Sequence, residues 1–270
     1  MMEVCILDEV ELAAAAALPE LPPRFSRGTT RPRSVRNQWF RKEMQGLLGS
    51  CNGAAWAGLI ERVNYSSRGD KTTQISKLWM YLAAQQAGGL IGSDRGSRPT
   101  DGGKVALTIG GCPESVVPYP QWAIDGKYPG KTERAKILSA ENARAAEPNK
   151  VAQVWRKPQS HSDTLDLIGL SGGGWVFGIT WYQGLIPKDR IVRSFNPRGK
   201  RILGSHALCA LGYFENENIE GHNSHNDGEF QIEPQAWEQM LAHPSTSIVG
   251  ATGTDDARPV DWMTESPWTS

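Results

Sequence analysis

Cysteines stand at positions 5, 51, 112 and 209 of this 270-residue chain, and one of them has neighbours suited to chemistry. Cys51 lies in QGLLGSCNGAAWAGLIERV (Gln45 to Val63), behind a glycine-punctuated loop and ahead of an apolar run. The helical spacing of that run predicts a helix over Gly53–Val63, with the thiol at its mouth. Unpaired backbone N–H groups and the positive end of the helix dipole favour thiolate over thiol there, which makes a nucleophile. A lone cysteine is more often a small buried residue, so its neighbours decide the reading. Gln45, six residues upstream, carries an amide that can donate to an oxyanion together with the Cys51 N–H. His206 heads the apolar stretch of ILGSHALCALGYF, where it would point from a strand end into a cleft. Asn223, in the turn-rich GHNSHNDGEF, could hold the second imidazole nitrogen and so set the tautomer.

These blocks resemble the papain-like cysteine peptidases. That family places a Gln six residues before the Cys, a helix after it, a distant His in an H-[AG]-x-x-x-x-G-Y strand and an Asn in N-S-W. Here the pattern falls on Gln45, Cys51, His206 in HALCALGY and Asn223 in NSH. Cys51 and His206 are 155 positions apart, just above the ~130–150 usual for the family. CPESVVPYP (Cys112–Pro120) also looks like a segment of bacterial, archaeal and phage members, and the resemblance spans roughly residues 20 to 240. It implies peptide-bond hydrolysis through a thioester acyl-enzyme, with Cys51 as nucleophile, His206 as acid and base, Asn223 orienting His206, and Gln45 in the oxyanion hole. A catalytically weak homologue serving as a structural or binding component, in a phage particle for example, is the alternative. Another acyl transfer on the same fold is a third reading. Departures bear on efficiency: Asn52 follows the Cys where the family has Trp, His225 stands for the Trp of N-S-W, and Asn226 is a second candidate to orient His206. The lead-in leaves no room for a long inhibitory propeptide, and GGLIGSDRG does not map onto the family's glycine pair.

One rival constellation exists. His206, Cys209, His222 and His225 have the spacing of a zinc site. On a strand, however, residues three apart point to opposite faces, so His206 and Cys209 would diverge. No metal and no cofactor is expected. Lys plus Arg and Asp plus Glu both number 29, a balance that argues against nucleic acid as partner, since that needs a clustered basic excess. The expected partner is a peptide or protein substrate. No window reaches the length of a membrane span. Four dispersed cysteines without a signal peptide suggest free thiols in a reducing compartment, hence a chain cytoplasmic at synthesis, with association with a virion compatible.

The elements that must position these residues change character along the chain. Helical periodicity marks Gly53–Val63, Ile75–Ala87, a polar helix over Thr132–Ala146 and a late one in EPQAWEQML. GGLIGSDRGSRPTDGGK reads as a loop through which no element persists. Short β-branched and aromatic runs at Gly172–Tyr182, Ile202–Phe214 and Glu229–Ile232 read as strands. Helices first and strands second give an α+β class, which with the resemblance becomes a papain-like two-lobed fold. The expected organisation is a frayed or weakly helical extension at 1–19 and a catalytic domain at 20–243. That domain divides into a helical lobe at about 41–120 and a β-rich lobe at about 121–243, with 20–40 as lead-in. A polar tail would follow at 244–270. The ten Trp residues are expected to pack the core and the lobe interface.

Overall fold

The computed structural model describes residues 5–21, 30–37, 44–224 and 228–253. Its first half is helical: α1 (Glu9–Ala16), α2 (Cys51–Arg68), α3 (Lys77–Ala87), α4 (Pro99–Thr108), α5 (Gln121–Ile124), α6 (Lys131–Ile137) and α7 (Ala140–Ala146). The second half alternates β1 (Gln153–Arg156), α8 (His161–Ser171), β2 (Gly174–Tyr182), β3 (Ile191–Val192), β4 (Ile202–Tyr213), β5 (Ile219–His222), β6 (Glu229–Ile232), α9 (Pro234–Ala242) and β7 (Ser247–Thr252). The seven strands form one sheet in the order β1-β7-β2-β4-β5-β6-β3, antiparallel except for the β3–β6 pair. The class is α+β, with the helical half packed on one face of the sheet.

Both faces of the central strands are covered, so β2 and β4 read as continuous apolar runs rather than alternating ones. On one face Val176, Cys209, Leu211 and Val249 pack with Leu59, Ile60 and Val63 of α2. On the other, Trp175, Phe177, Leu208, Ala210 and Ile248 pack with Leu165 and Ile168 of α8 and Trp237 and Met240 of α9. Trp56, Trp79, Trp175 and Trp237 are fully buried, in agreement with a packing role. Helix α2 is buried on nearly every side. Gly53 permits this, because a Cβ there would fall inside contact distance of the Lys77 carbonyl at the start of α3.

Several expectations change. Helix α4 starts inside the stretch read as an unbroken loop: Pro99 occupies its first position, and Gly102 and Gly103 lie against the ring of Trp56. The polar helix at 132–146 is two helices, separated where Ser139 accepts from Asn142 N and caps α7. The supposed polar tail from 244 contains β7, paired with both β1 and β2; its Ser, Thr and Gly residues disguise a buried strand. Of the two expectations for the N-terminal extension, frayed or weakly helical, its described residues show the helical one. Asp8 accepts from Glu11 N and caps α1, and Arg98 forks onto both Asp8 carboxylate oxygens at 2.9 and 2.6 Å. Glu11 is fully buried, bonded to Thr100 and Ser247. Ahead of α1, Cys5 pairs with Ser97 as a parallel bridge and Ile6 N donates to Ser97 O.

Candidate active site

Cys51 is the first residue of α2, so the thiol stands at the helix N-terminus. Its Sγ accepts from Ala207 N at 3.4 Å, which brings the thiol beside the residue that follows His206. The β4–β5 ladder ends at Cys209 and His222, leaving the β4 edge open at His206. Asn223, one residue beyond β5, fills that opening: His206 Nε2–H donates to Asn223 Oδ1 at 2.7 Å. With the hydrogen fixed on Nε2, Nδ1 is the nitrogen left to exchange a proton with a thiol. His206 and Asn223 are both buried.

Gln45 reaches the same place through a dense set of bonds. Its Nε2 donates to Leu48 O at 2.6 Å, its Oε1 accepts from Ser224 Oγ at 2.8 Å, and its backbone N–H donates to Ser224 O. Tyr119 OH donates to Gln45 O at 2.6 Å and lies 2.8 Å from Ser50 Oγ. A glutamine pinned at both ends in this way presents its amide in one orientation. Cys51, His206, Asn223 and Gln45 therefore come together from four separated parts of the chain. Asn226 and His225 lie outside the described residues.

The expected low thiol pKa is not found. Burial pushes the Cys51 thiol up to about 12, outweighing the backbone N–H groups of Ala207, Asn52 and Cys51 itself, and the Asp94 carboxylate adds to the rise. The helix-terminus argument names a real stabilisation of the thiolate, but complete desolvation is larger. Residues near the N-terminus pack close by. Segment 5–7 runs along the site: a Cβ on Gly178, the β2 residue paired with Ala207, would lie 2.7 Å from Leu7 Cδ2, 3.1 Å from Cys5 Sγ and 3.2 Å from Pro99 Cγ. Burial also raises the Cys5 thiol, with the neighbouring Cys51 and Glu11 adding to it. Cys5 and Cys51 thus share one buried cluster.

Other residues at the site escape a reading by motif. Trp181 lies edge-on to His206, with ring centroids 4.9 Å apart; it comes from β2, not from the N-S-W position. Asn52, in place of the family's Trp, donates to Ser97 Oγ and Arg98 O and so ties α2 to the loop before α4. Asp94 accepts from Gly49 N and Tyr81 OH. Tyr119 alone had a signal, the CPESVVPYP segment. The zinc alternative loses its geometry: His206 turns to Asn223 and Trp181, while His222 Nε2 bonds Glu220 Oε1 at 2.8 Å.

No protein-family model matches the chain, and no curated protein matches it. Solved structures do. Xylellain, a cysteine protease from Xylella fastidiosa, is similar with a TM-score of 0.67 and 22% identity, over 88% of this chain and 94% of that one. Procathepsin B S9 from Trypanosoma congolense is similar at 0.61 and 14%, over 92% and 89%. The Carica candamarcensis cysteine protease CMS1MS2, in complex with E-64, is similar at 0.52 and 19%, over 83% and 99%. Nearly the whole chain overlays on proteins of one kind, and the fold is that of the papain-like cysteine proteases.

Proposed function

We propose that the chain is a cysteine-type peptidase that hydrolyses peptide bonds by acyl transfer through Cys51. The observation that carries this reading is the hydrogen-bonded His206–Asn223 pair at 2.7 Å, set next to a thiol on the first turn of α2. Once the cleft is open, His206 Nδ1 takes the Cys51 proton and the sulfur attacks the scissile carbonyl carbon. The Cys51 N–H and the Gln45 amide bind the resulting oxyanion. The imidazolium then gives its proton to the leaving amine, and the thioester forms as the C–N bond breaks. Water, deprotonated by His206, attacks the thioester; the acid leaves and the thiol is restored. The pinned Gln45 and the fixed tautomer support this sequence, because both are organised before any substrate arrives.

A second reading has its own observation. A buried thiol raised to about 12 is also what an inert scaffold of this fold would have. The test is alkylation of Cys51 by iodoacetamide as a function of pH, read by mass spectrometry, in the full chain and in Leu7→Asp. For a peptidase, the variant should react well below the ~8.5 of a free thiol, and His206→Ala in the same background should abolish the gain. Ordinary thiol behaviour in the opened variant would favour the scaffold.

A further inference from the structure

We infer that Asp94 sets substrate choice at this site, selecting a lysine or arginine as the residue that donates its carbonyl to Cys51. The inference rests on the peptidase reading and adds a substrate class to it. Asp94 is exposed, yet its carboxylate is fixed. Oδ1 accepts from Tyr81 OH at 2.6 Å and from Gly49 N at 3.0 Å, and Oδ2 lies 3.1 Å from Gly49 N. Tyr81 is itself buried and held by Gln85 Nε2 at 2.9 Å. Gly49 is the residue that allows the approach, because a Cβ there would meet Asp94 Oδ1 at 2.7 Å. The carboxylate therefore lies against the loop that ends in the nucleophile, and its charge is felt at Cys51. Among the described residues no Lys, Arg or His lies in ion-pair range of it, although exposed acids elsewhere in the chain, such as Glu217, Glu229 and Asp189, are paired with arginines.

The direction of the substrate follows from the chemistry of the site. His206 must reach the leaving amine, so the departing half lies toward Asn223 and Trp181. The acyl half then lies along the 94–99 wall, where Ser97 already accepts an extended chain from Ile6 N. The side chain next to the scissile carbonyl passes between that edge and Gly49, and Asp94 is the charged group there. An ammonium or guanidinium would find two carboxylate oxygens with lone pairs left over and, among the described residues, no competing cation. It would also cancel the repulsion that Asp94 imposes on a thiolate, so the correct substrate would help to generate the nucleophile.

The experiment compares labelling of Cys51 by two peptidyl chloromethyl ketones, identical except for Arg or Leu beside the reactive carbonyl, read by mass spectrometry on the full chain. Both probes face the same covering segment, so its occupancy cancels in the ratio of rates. We expect the Arg probe to be faster by about tenfold or more, in the range of a charge-assisted contact. Asp94→Asn, which keeps an acceptor for Gly49 N, should bring the ratio close to one, while Tyr81→Phe, which keeps the charge, should preserve the preference. Equal labelling by the two probes in the natural chain overturns the Asp94 assignment and leaves the peptidase reading standing. So does a ratio unchanged by Asp94→Asn. Labelling of Cys51 by neither probe, in the chain and in Leu7→Asp alike, overturns the peptidase reading, and the Asp94 assignment with it.

Discussion

His206 depends on two neighbours for different things. Asn223 fixes which nitrogen carries the hydrogen, and Trp181 covers the ring edge. Asn223→Ala removes the first, so kcat should fall by roughly a hundredfold, well beyond what the ~1–3 kcal/mol stability loss from an unpaired buried donor would cause in a chain that stays folded. A loss of stability without that fall in kcat would indicate that Asn223 serves the fold instead. The placements of Cys51, His206 and Gln45 were legible because each has a sequence address: a thiol at a helix start, an imidazole on a strand, an amide in a glycine loop. Trp181 and Ser224 were not, because nothing in TWY or NSH announces which ring or amide each will meet across the chain. The expected thiolate failed for a related reason. Helix position is a local property, but the burial that opposes it is set by a core gathered from the whole chain.

Helix α1 hid its importance in plain composition. An acid within an alanine run looks like a solvated face, yet Glu11 is buried against Thr100 N, Thr100 Oγ1 and Ser247 Oγ. Burial, only partly offset by those hydrogen bonds, raises its carboxyl to about 7; Asp101 faces it from α4 and raises it further. The folded value lies above the ordinary 4.5, so the protonated acid favours docking. That contribution is whole below about 4.5 and is lost as pH rises through about 7. Hydrogen exchange over residues 5–17 should therefore accelerate between pH 6 and pH 8.5 by more than its intrinsic rate, and Glu11→Gln should remove the excess. Gly53 makes a separate statement about packing. Gly53→Ala forces α2 away from the Lys77 carbonyl, and urea denaturation should show a loss of about 1–3 kcal/mol despite alanine's better helix propensity. The same crowding explains why α4 was unreadable: its glycines exist to receive Trp56, a contact no local rule contains.

At the scale of the molecule, the segment packed over Gly178 and the candidate site beside it belong to one chain, and the peptidase reading makes that segment a competitor of substrate. A ligand attached in this way has an effective concentration, of order millimolar for a short tether, that dilution cannot change. An external peptide must compete with that fixed local concentration. The apparent KM is then multiplied by one plus the ratio of effective concentration to the segment's own dissociation constant, whereas kcat is left alone. Full chain and Leu7→Asp should therefore converge to one maximal rate at saturating peptide and differ only in the peptide needed to reach half of it. The gap should be identical at every enzyme concentration tested; a gap that narrows on dilution would place the competitor on another molecule.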